Sequence, residues 1–398
     1  MNNKSILYYK SVYAVLLFLF LLSSFVQPSA ITSSSIPFRY IILVALFIFG
    51  LRFAPYQFRV LNKDIFLGLY LIWMGIVFFS YILLERFVID NIRAIILIFS
   101  LSVGLASIKI LGIRVIDKVL NIVGASVVLA IIIRILAWPG DFLGLLLYGY
   151  SVRSLSEEYP YFVAGASNIE VTYILILCAV IRHRYIFFSL LFFGILYSYL
   201  YESRVGIIIS FIIMMIKLDF FHLKTRSIVA CFAFSSIAIF AYLFYKPLFF
   251  PQFFNLEAEL FYASQGVGRL GFYLGAMELI TNSNSPAGVG AAVYEMSKVT
   301  GIEYKENNVH NIYLQIFLDL GVFGILTFFG FALGLFNISR KISANFLPAS
   351  AVLIYLFVGL IQFTGYDSVA WVFIGMTLGY LALQRSQNTY LTAGKIVS

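Results

Sequence analysis

Apolar stretches, each followed by a short polar connector, run through this chain almost from end to end. A helix needs ~20 apolar residues to cross the hydrocarbon core of a bilayer. Stretches of that kind lie at 11–27, 36–53, 65–84, 92–109, 119–138, 168–181, 185–201, 205–220, 227–245, 312–336, 347–365 and 369–384. Charged residues make up 11% of the chain and the mean hydropathy is +0.97, against about 25% charged in a soluble domain. The sequence therefore predicts an all-α polytopic membrane protein with about twelve transmembrane helices and one integral domain over 1–398. The N-terminal apolar segment has no convincing small-residue cleavage site and further spans follow it, so it reads as the first span. Cys178 and Cys231 both fall inside apolar runs, which excludes a disulfide scaffold and a Cys-based metal site.

The connectors orient the helices. Arg52, Arg59 and Lys63 share one loop, and Lys109, Arg114 and Lys118 share another. Arg182 with Arg184, Lys217 with Lys224 and Arg226, and Arg340 with Lys341 occupy three more on the same side, together with Lys4, Lys10, Arg385 and Lys395 at the termini. Positive loops stay in the cytoplasm, so both termini are expected there. The net charge of +9 is mostly topology charge and gives no nucleic-acid surface. Two segments on the opposite side are long, 139–167 and 246–310. Long loops in compact proteins tend to be functional. The second, between spans 9 and 10, is too apolar and aromatic for disorder and is expected to lie on the membrane as short amphipathic helices. Its best helix candidate is Gly266 to Ile280, ended by the turn residues Thr281 to Pro286.

Outer basic residues are mostly arginine: Arg39, Arg86, Arg93, Arg134, Arg153, Arg204 and Arg269 stand against Lys246, Lys298 and Lys305. Cations near apolar helix ends on this face call for a partner. That partner is either a carboxylate such as Glu85, Asp90 or Glu202, or phosphate oxygens, which the planar guanidinium matches in a bidentate way. Attention falls on Gly288 to Gly324, where a glycine-rich polar loop becomes an apolar run at Asn311. His310 stands at that junction and is the one histidine on the outer side; His183 and His222 lie in basic cytoplasmic loops. A histidine can be neutral and accept a proton near neutral pH, and it can also serve as an interfacial anchor. Asn311 is suited either to orienting the imidazole or to capping the following helix. Gln315 and Asp319 are four apart and share a helix face. Asp319, Glu170 and Asp367 are intramembrane or near-membrane acids. Each is a functional candidate or a partner for a neighbouring helix.

The order of these residues resembles a family. Pro286 and the G-x-G of Gly288 and Gly290 come first, then a polar spacer and His310-Asn311. A short apolar helix with an acidic residue follows, and then the G-x-x-G of Gly321 and Gly324. This is similar to the bacterial O-antigen ligase and O-antigen polymerase superfamily. Ser203-Arg204, followed by a small residue at the start of a span, is a second match. Arg269, opening the aromatic-rich helix that leads to Pro286, is a third. The resemblance covers the second half of the chain. It implies a GT-C-like, metal-independent glycosyltransferase of the bacterial inner membrane that uses no cofactor. Its donor would be a glycan on undecaprenyl diphosphate, reached from the membrane. His310 would take the acceptor's proton, and Arg204 and Arg269 would hold the diphosphate. Ser203, Asn311, Gln315, Asp319 and Glu170 would support them. A chain-length regulator and a flippase are the expected protein partners.

What is absent narrows the reading. The chain has no Walker loop, no strand-borne G-x-G-x-x-G, no metal-ligand spacing and no G-x-S-x-G elbow. Polymerase and ligase differ in the acceptor, another lipid-linked repeat unit or lipid A-core, and HNIYLQIFLDLGVFG looks closer to the polymerase branch. A flippase for lipid-linked sugars is the competing class. It needs charge distributed through the membrane depth, whereas the cations here gather towards one face.

Overall fold

A computed structural model describes residues 3–26, 38–84, 86, 89–148, 167–201, 203–220, 268–282, 286–304, 308–360 and 365–396. Helices are α1 (Asn3–Phe25), α2 (Phe38–Gly50), α3 (Ala54–Leu61), α4 (Ile65–Leu83), α5 (Arg93–Leu111), α6 (Ile113–Ala137), α7 (Pro139–Tyr148) and α8 (Ser167–Val180). They continue as α9 (Arg184–Leu200), α10 (Arg204–Phe220), α11 (Gly268–Asn282), α12 (Ala292–Thr300), α13 (Ile312–Ile342), α14 (Pro348–Val358) and α15 (Ser368–Ile396). The described residues contain no strand, and the protein is an all-α polytopic membrane protein.

Every expected span inside the described residues falls on a helix; the one at 227–245 lies outside them. Six helical stretches are long and apolar enough to cross a bilayer, and four more apolar helices have 10–17 residues. The sequence boundaries need adjustment at several points. After α2 a short 3-10 turn leads into α3, with a proline in its first turn, so the connector after the second apolar stretch is helical, not a loop. α14 stops at Val358, short of the expected 365, and α15 runs on to Ile396. α7 puts a helix into the first long connector, where none was expected, and α12 puts one into the second, where short helices were expected.

The tightest pairing is α5 with α15. A Cβ on Gly104 would lie 2.1 Å from the Val372 carbonyl oxygen, and one on Gly375 would lie 2.3 Å from that of Leu101. Small residues at a helix crossing let backbones approach, which matters in lipid because association there rests on packing, not on a hydrophobic gradient. Around this pair the core is continuous, from Tyr13 and Leu17 on α1 through Trp371 on α15. α8 is buried from Glu170 to Val180, as expected for a helix apolar all round. α4, α6 and α9 instead leave Ile72, Leu129 and Phe192 exposed for lipid.

The segment ahead of α13 has its own small core. Phe272, Ala276 and Leu279 of α11 pack with Val293 and Met296 of α12, Tyr304, Val309 and Leu318. The expected helix at Gly266 to Ile280 is thus present as Gly268–Asn282. One of its faces lies against protein, while Leu274, Met277 and Ile280 remain exposed on it.

Candidate functional site

The long span α13 is not one uninterrupted helix. Gly321 takes φ 70° and ψ −168°, which breaks the hydrogen-bond ladder within the apolar run. Carbonyls freed by a break inside a membrane protein must find other donors. They do so here: Ala287 N–H donates to Leu318 O at 2.8 Å, Gly288 N–H to Asp319 O at 3.0 Å, and the Trp73 indole to Leu320 O at 2.8 Å. The G-V-G loop is therefore docked along the first half of α13 as an extra backbone strand of partners.

The same loop is held by side chains. Asp319, fully buried, accepts from Gly290 N–H at 2.9 Å through one oxygen and from Ala292 N–H at 3.0 Å through the other. Gln315 donates to Asp319 at 3.0 Å, and its carbonyl oxygen accepts from Val309 N–H at 3.1 Å. One Gln-Asp pair on a single helix face thus fixes both the G-V-G turn and the residue before His310. Tyr81 donates to Pro286 O at 2.6 Å, and Asn91 donates to Val289 O. Both glycines are dictated by the fit. Gly288 has φ 95° with the Tyr81 ring 2.7 Å from where a Cβ would sit, and Gly290 has φ 74° with Asp90 O at 2.6 Å.

His310 sits where this clamped segment turns into α13. Its φ of 54° is the only positive value at a non-glycine among the described residues. The left-handed region is uncommon for such residues, with histidine among those enriched there. Its backbone N–H donates to Asn308 Oδ1 at 3.0 Å. Its ring meets Phe272 edge-on, with centroids 5.6 Å apart at 83°. Phe272 is one turn along α11 from Arg269, so the opening of α11 and His310 share one corner. Asn311 is a cap: its side-chain oxygen accepts from Tyr313 and Leu314 N–H, both at 3.0 Å. Of the two roles its position suggested, this oxygen performs the second.

Ser203 and Arg204 form another corner, between α9 and α10. Ser203 is buried, its N–H donates to Ser198 O at 2.8 Å and its hydroxyl accepts from Gly206 N–H at 3.2 Å, so it caps α10. Arg204 is the first residue of α10 and Arg269 the second of α11; the side chains of both lie outside the described residues. Glu170 is fully buried and pairs with Arg134 at 2.7 Å. Asp367 caps α15 through Ala370 N–H at 2.8 Å and accepts from the Tyr173 hydroxyl.

Two other cations expected from the sequence on the outer side have carboxylate partners as well. Arg93 meets Asp90 at 2.8 Å. Lys298 meets Glu295 at 2.9 Å, and that hydrogen bond, with the neighbouring charge, raises its ammonium above the ordinary lysine range. What the sequence did not flag are Trp73, Tyr81 and Asn91, which complete the clamp, and the break in the helix at Gly321, a residue noted only as part of the G-x-x-G. A glycine inside an apolar run was the one available sign. The partners on α4 and ahead of α5 follow no local pattern.

Residues 186–329 match the family model described as O-antigen ligase. Over that stretch the chain is similar to the O-antigen ligase family, which supports the resemblance to the O-antigen ligase and polymerase superfamily. The matched stretch begins in α9, contains the Ser203-Arg204 corner, α11, the G-V-G loop and His310, and ends in α13 past the Gly321 break. No curated protein matches the chain closely enough to add to this.

Proposed function

We propose that the protein is a surface-polysaccharide polymerase acting on the outer face of the inner membrane, with both termini in the cytoplasm. Donor and acceptor are undecaprenyl-diphosphate-linked glycans taken from the bilayer. The observation that carries this reading is the placement of His310. It is held in a left-handed conformation at the end of a clamped loop, against the first turns of the helix that Arg269 opens.

In the reaction, a hydroxyl oxygen of the acceptor repeat unit attacks the anomeric carbon of the donor glycan. The new glycosidic bond forms as the bond from that carbon to the diphosphate oxygen breaks. The hydroxyl proton passes to a ring nitrogen of neutral His310, and undecaprenyl diphosphate leaves carrying the electron pair. Arg204 and Arg269 stabilise the charge that grows on the leaving oxygen, which is where preorganised donors contribute most. Attack opposite the leaving group inverts the anomeric centre. A diphosphate neutralised by two guanidiniums leaves without a general acid. A chain-length regulator and a flippase supplying the lipid-linked unit are the proposed partners.

Purified protein given a lipid-linked repeat unit alone tests this. A ladder of chain lengths is expected, and His310→Ala should slow it by ~10²–10⁴ at equal protein level, the usual loss for a general base. Product that forms only after lipid A-core is added would make the protein a ligase with the same residues. Near-normal turnover by the alanine variant would remove His310 from the reaction.

A further inference from the structure

Arg134 and Glu170 lie at the outer ends of α6 and α8, with side chains only 2% and 0% exposed, and their 2.7 Å contact is the most deeply buried ion pair among the described residues. Such a pair is an uneconomical way to hold two helices together. Its desolvation cost roughly cancels its attraction, and apolar residues of equal volume often serve stability as well. What an Arg–Glu pair gives instead is direction, since the planar guanidinium both pairs and stacks.

The surroundings show what it directs. The Arg134 guanidinium lies 4.8 Å over the Tyr197 ring, near the end of α9. Tyr197 stacks on Tyr201, with centroids 5.3 Å apart and planes at 27°. Tyr201 is the C-cap of α9, two residues ahead of Ser203. Ser203 N–H then turns back to Ser198 O at 2.8 Å. On the other side of the corner, Gly206 presses α10 onto α8. A Cβ there would lie 2.5 Å from Val171, the neighbour of Glu170, and 2.2 Å from the Ser198 hydroxyl. The corner from which Arg204 starts α10 is thereby gripped from both sides, through Arg134 by the tyrosine stack and beside Glu170 by the α8–α10 contact.

We propose that Arg134 and Glu170 are positioning residues for the donor site: their buried ion pair sets the α9–α10 corner and so fixes the register from which Arg204 engages a lipid-linked diphosphate. This rests on the assignment of Arg204 to the donor diphosphate made above. Neither residue touches substrate in this scheme. Both act through Arg204.

The test measures binding of undecaprenyl diphosphate to purified full-length protein, which works for inactive variants too. Arg134→Met/Glu170→Leu keeps volume and leaves no unpaired buried charge; Glu170→Gln keeps volume and an acceptor for Arg134. The double variant is expected at wild-type abundance, while Glu170→Gln, which leaves the buried guanidinium without its counter-charge, accumulates less. Affinity per folded molecule is lowered about tenfold for the double variant and less for Glu170→Gln, in the range of coupling between contacting residues. In an Arg204→Ala background the same changes should alter affinity less than about twofold, because the group they position is gone. Unchanged affinity in the double variant overturns the proposal. So does a tenfold loss that persists in the Arg204→Ala background, or failure of both variants to accumulate, since either makes the pair a general structural element. If Arg204→Ala alone binds undecaprenyl diphosphate like wild type, the assignment of Arg204 itself fails, and that single variant shows it without reference to Arg134 or Glu170.

Discussion

Replacing Asp319 with leucine should disable the protein without removing it from the membrane. The carboxylate accepts from Gly290 N–H, Ala292 N–H and the Gln315 amide, in a fully buried setting. Leucine keeps the branched shape with bulkier methyl groups and leaves three buried donors without their acceptor, each costing about 1–3 kcal/mol. Neighbouring losses do not add in full, so about 3–5 kcal/mol is the expected total. Most of the penalty falls on the loop, because two of the three donors, the Gly290 and Ala292 amides, belong to it. The backbone bonds from Ala287 and Gly288 to α13 survive the change, so loosening should be local and partial. A net ~3 kcal/mol would raise the open fraction of the loop by about a hundredfold, with amide exchange at 288–292 faster by the same factor. Asp319→Asn keeps one acceptor but turns an NH2 towards a backbone N–H, and should fall in between. The assay pairs hydrogen exchange with chain-length gels on the reconstituted protein. Wild-type exchange at 288–292 together with wild-type turnover in Asp319→Leu would refute the clamp.

Arg204→Ala and Arg269→Ala should each abolish or strongly impair polymer formation with the protein still in the membrane, and lysine should rescue poorly because a point charge does not reproduce the guanidinium fork; gels at matched abundance decide, and full activity of both lysine variants would end the bidentate reading. Reporters fused after Arg184, Lys224 and Lys341 should read cytoplasmic and those within 139–167 and 246–310 external; a cytoplasmic signal near residue 300 would put His310 on the wrong face for a lipid-linked donor.

The helices were legible because lipid imposes a length and a composition that a single sequence displays directly. The α11 helix was also legible, from its aromatic-rich run and from the turn residues that end it. His310, Gln315 and Asp319 stood out as polar residues where the surrounding sequence is apolar. Their division of labour did not. Asp319 read equally as a site acid and as a partner for a neighbour, and the choice depended on the Gly290 and Ala292 amides, nearly thirty positions earlier in the chain. Arg134 and Glu170 were each singled out, but their pairing was hidden, since nothing in one sequence says which carboxylate meets which arginine. Ion pairing was the ordinary expectation for any outer arginine, and Arg93 and Arg134 meet it.

The break at Gly321 explains why the polar loop and the apolar span must be considered together. A kink in a lipid-embedded helix leaves carbonyls that water cannot reach. Trp73 and Tyr81, eight residues apart on α4 and so about 12 Å along its axis, serve the two sides of this arrangement: Tyr81 holds Pro286 of the loop, and Trp73 meets Leu320 of α13 beside the break. The loop must bring its own backbone N–H groups close to α13, and only residues without a Cβ fit at 288 and 290, where Tyr81 and Asp90 already stand. The G-x-G, the intramembrane Asp and the helix-breaking Gly are then one device. The glycines supply the donors and the close approach, Asp319 supplies the acceptor, and Gly321 frees the carbonyls that the donors meet. His310 inherits its position from this device, because Gln315 links Asp319 to the amide of the preceding Val309. Conformational freedom at the histidine is removed by contacts that lie one and two turns down the following helix, not by contacts of the imidazole alone.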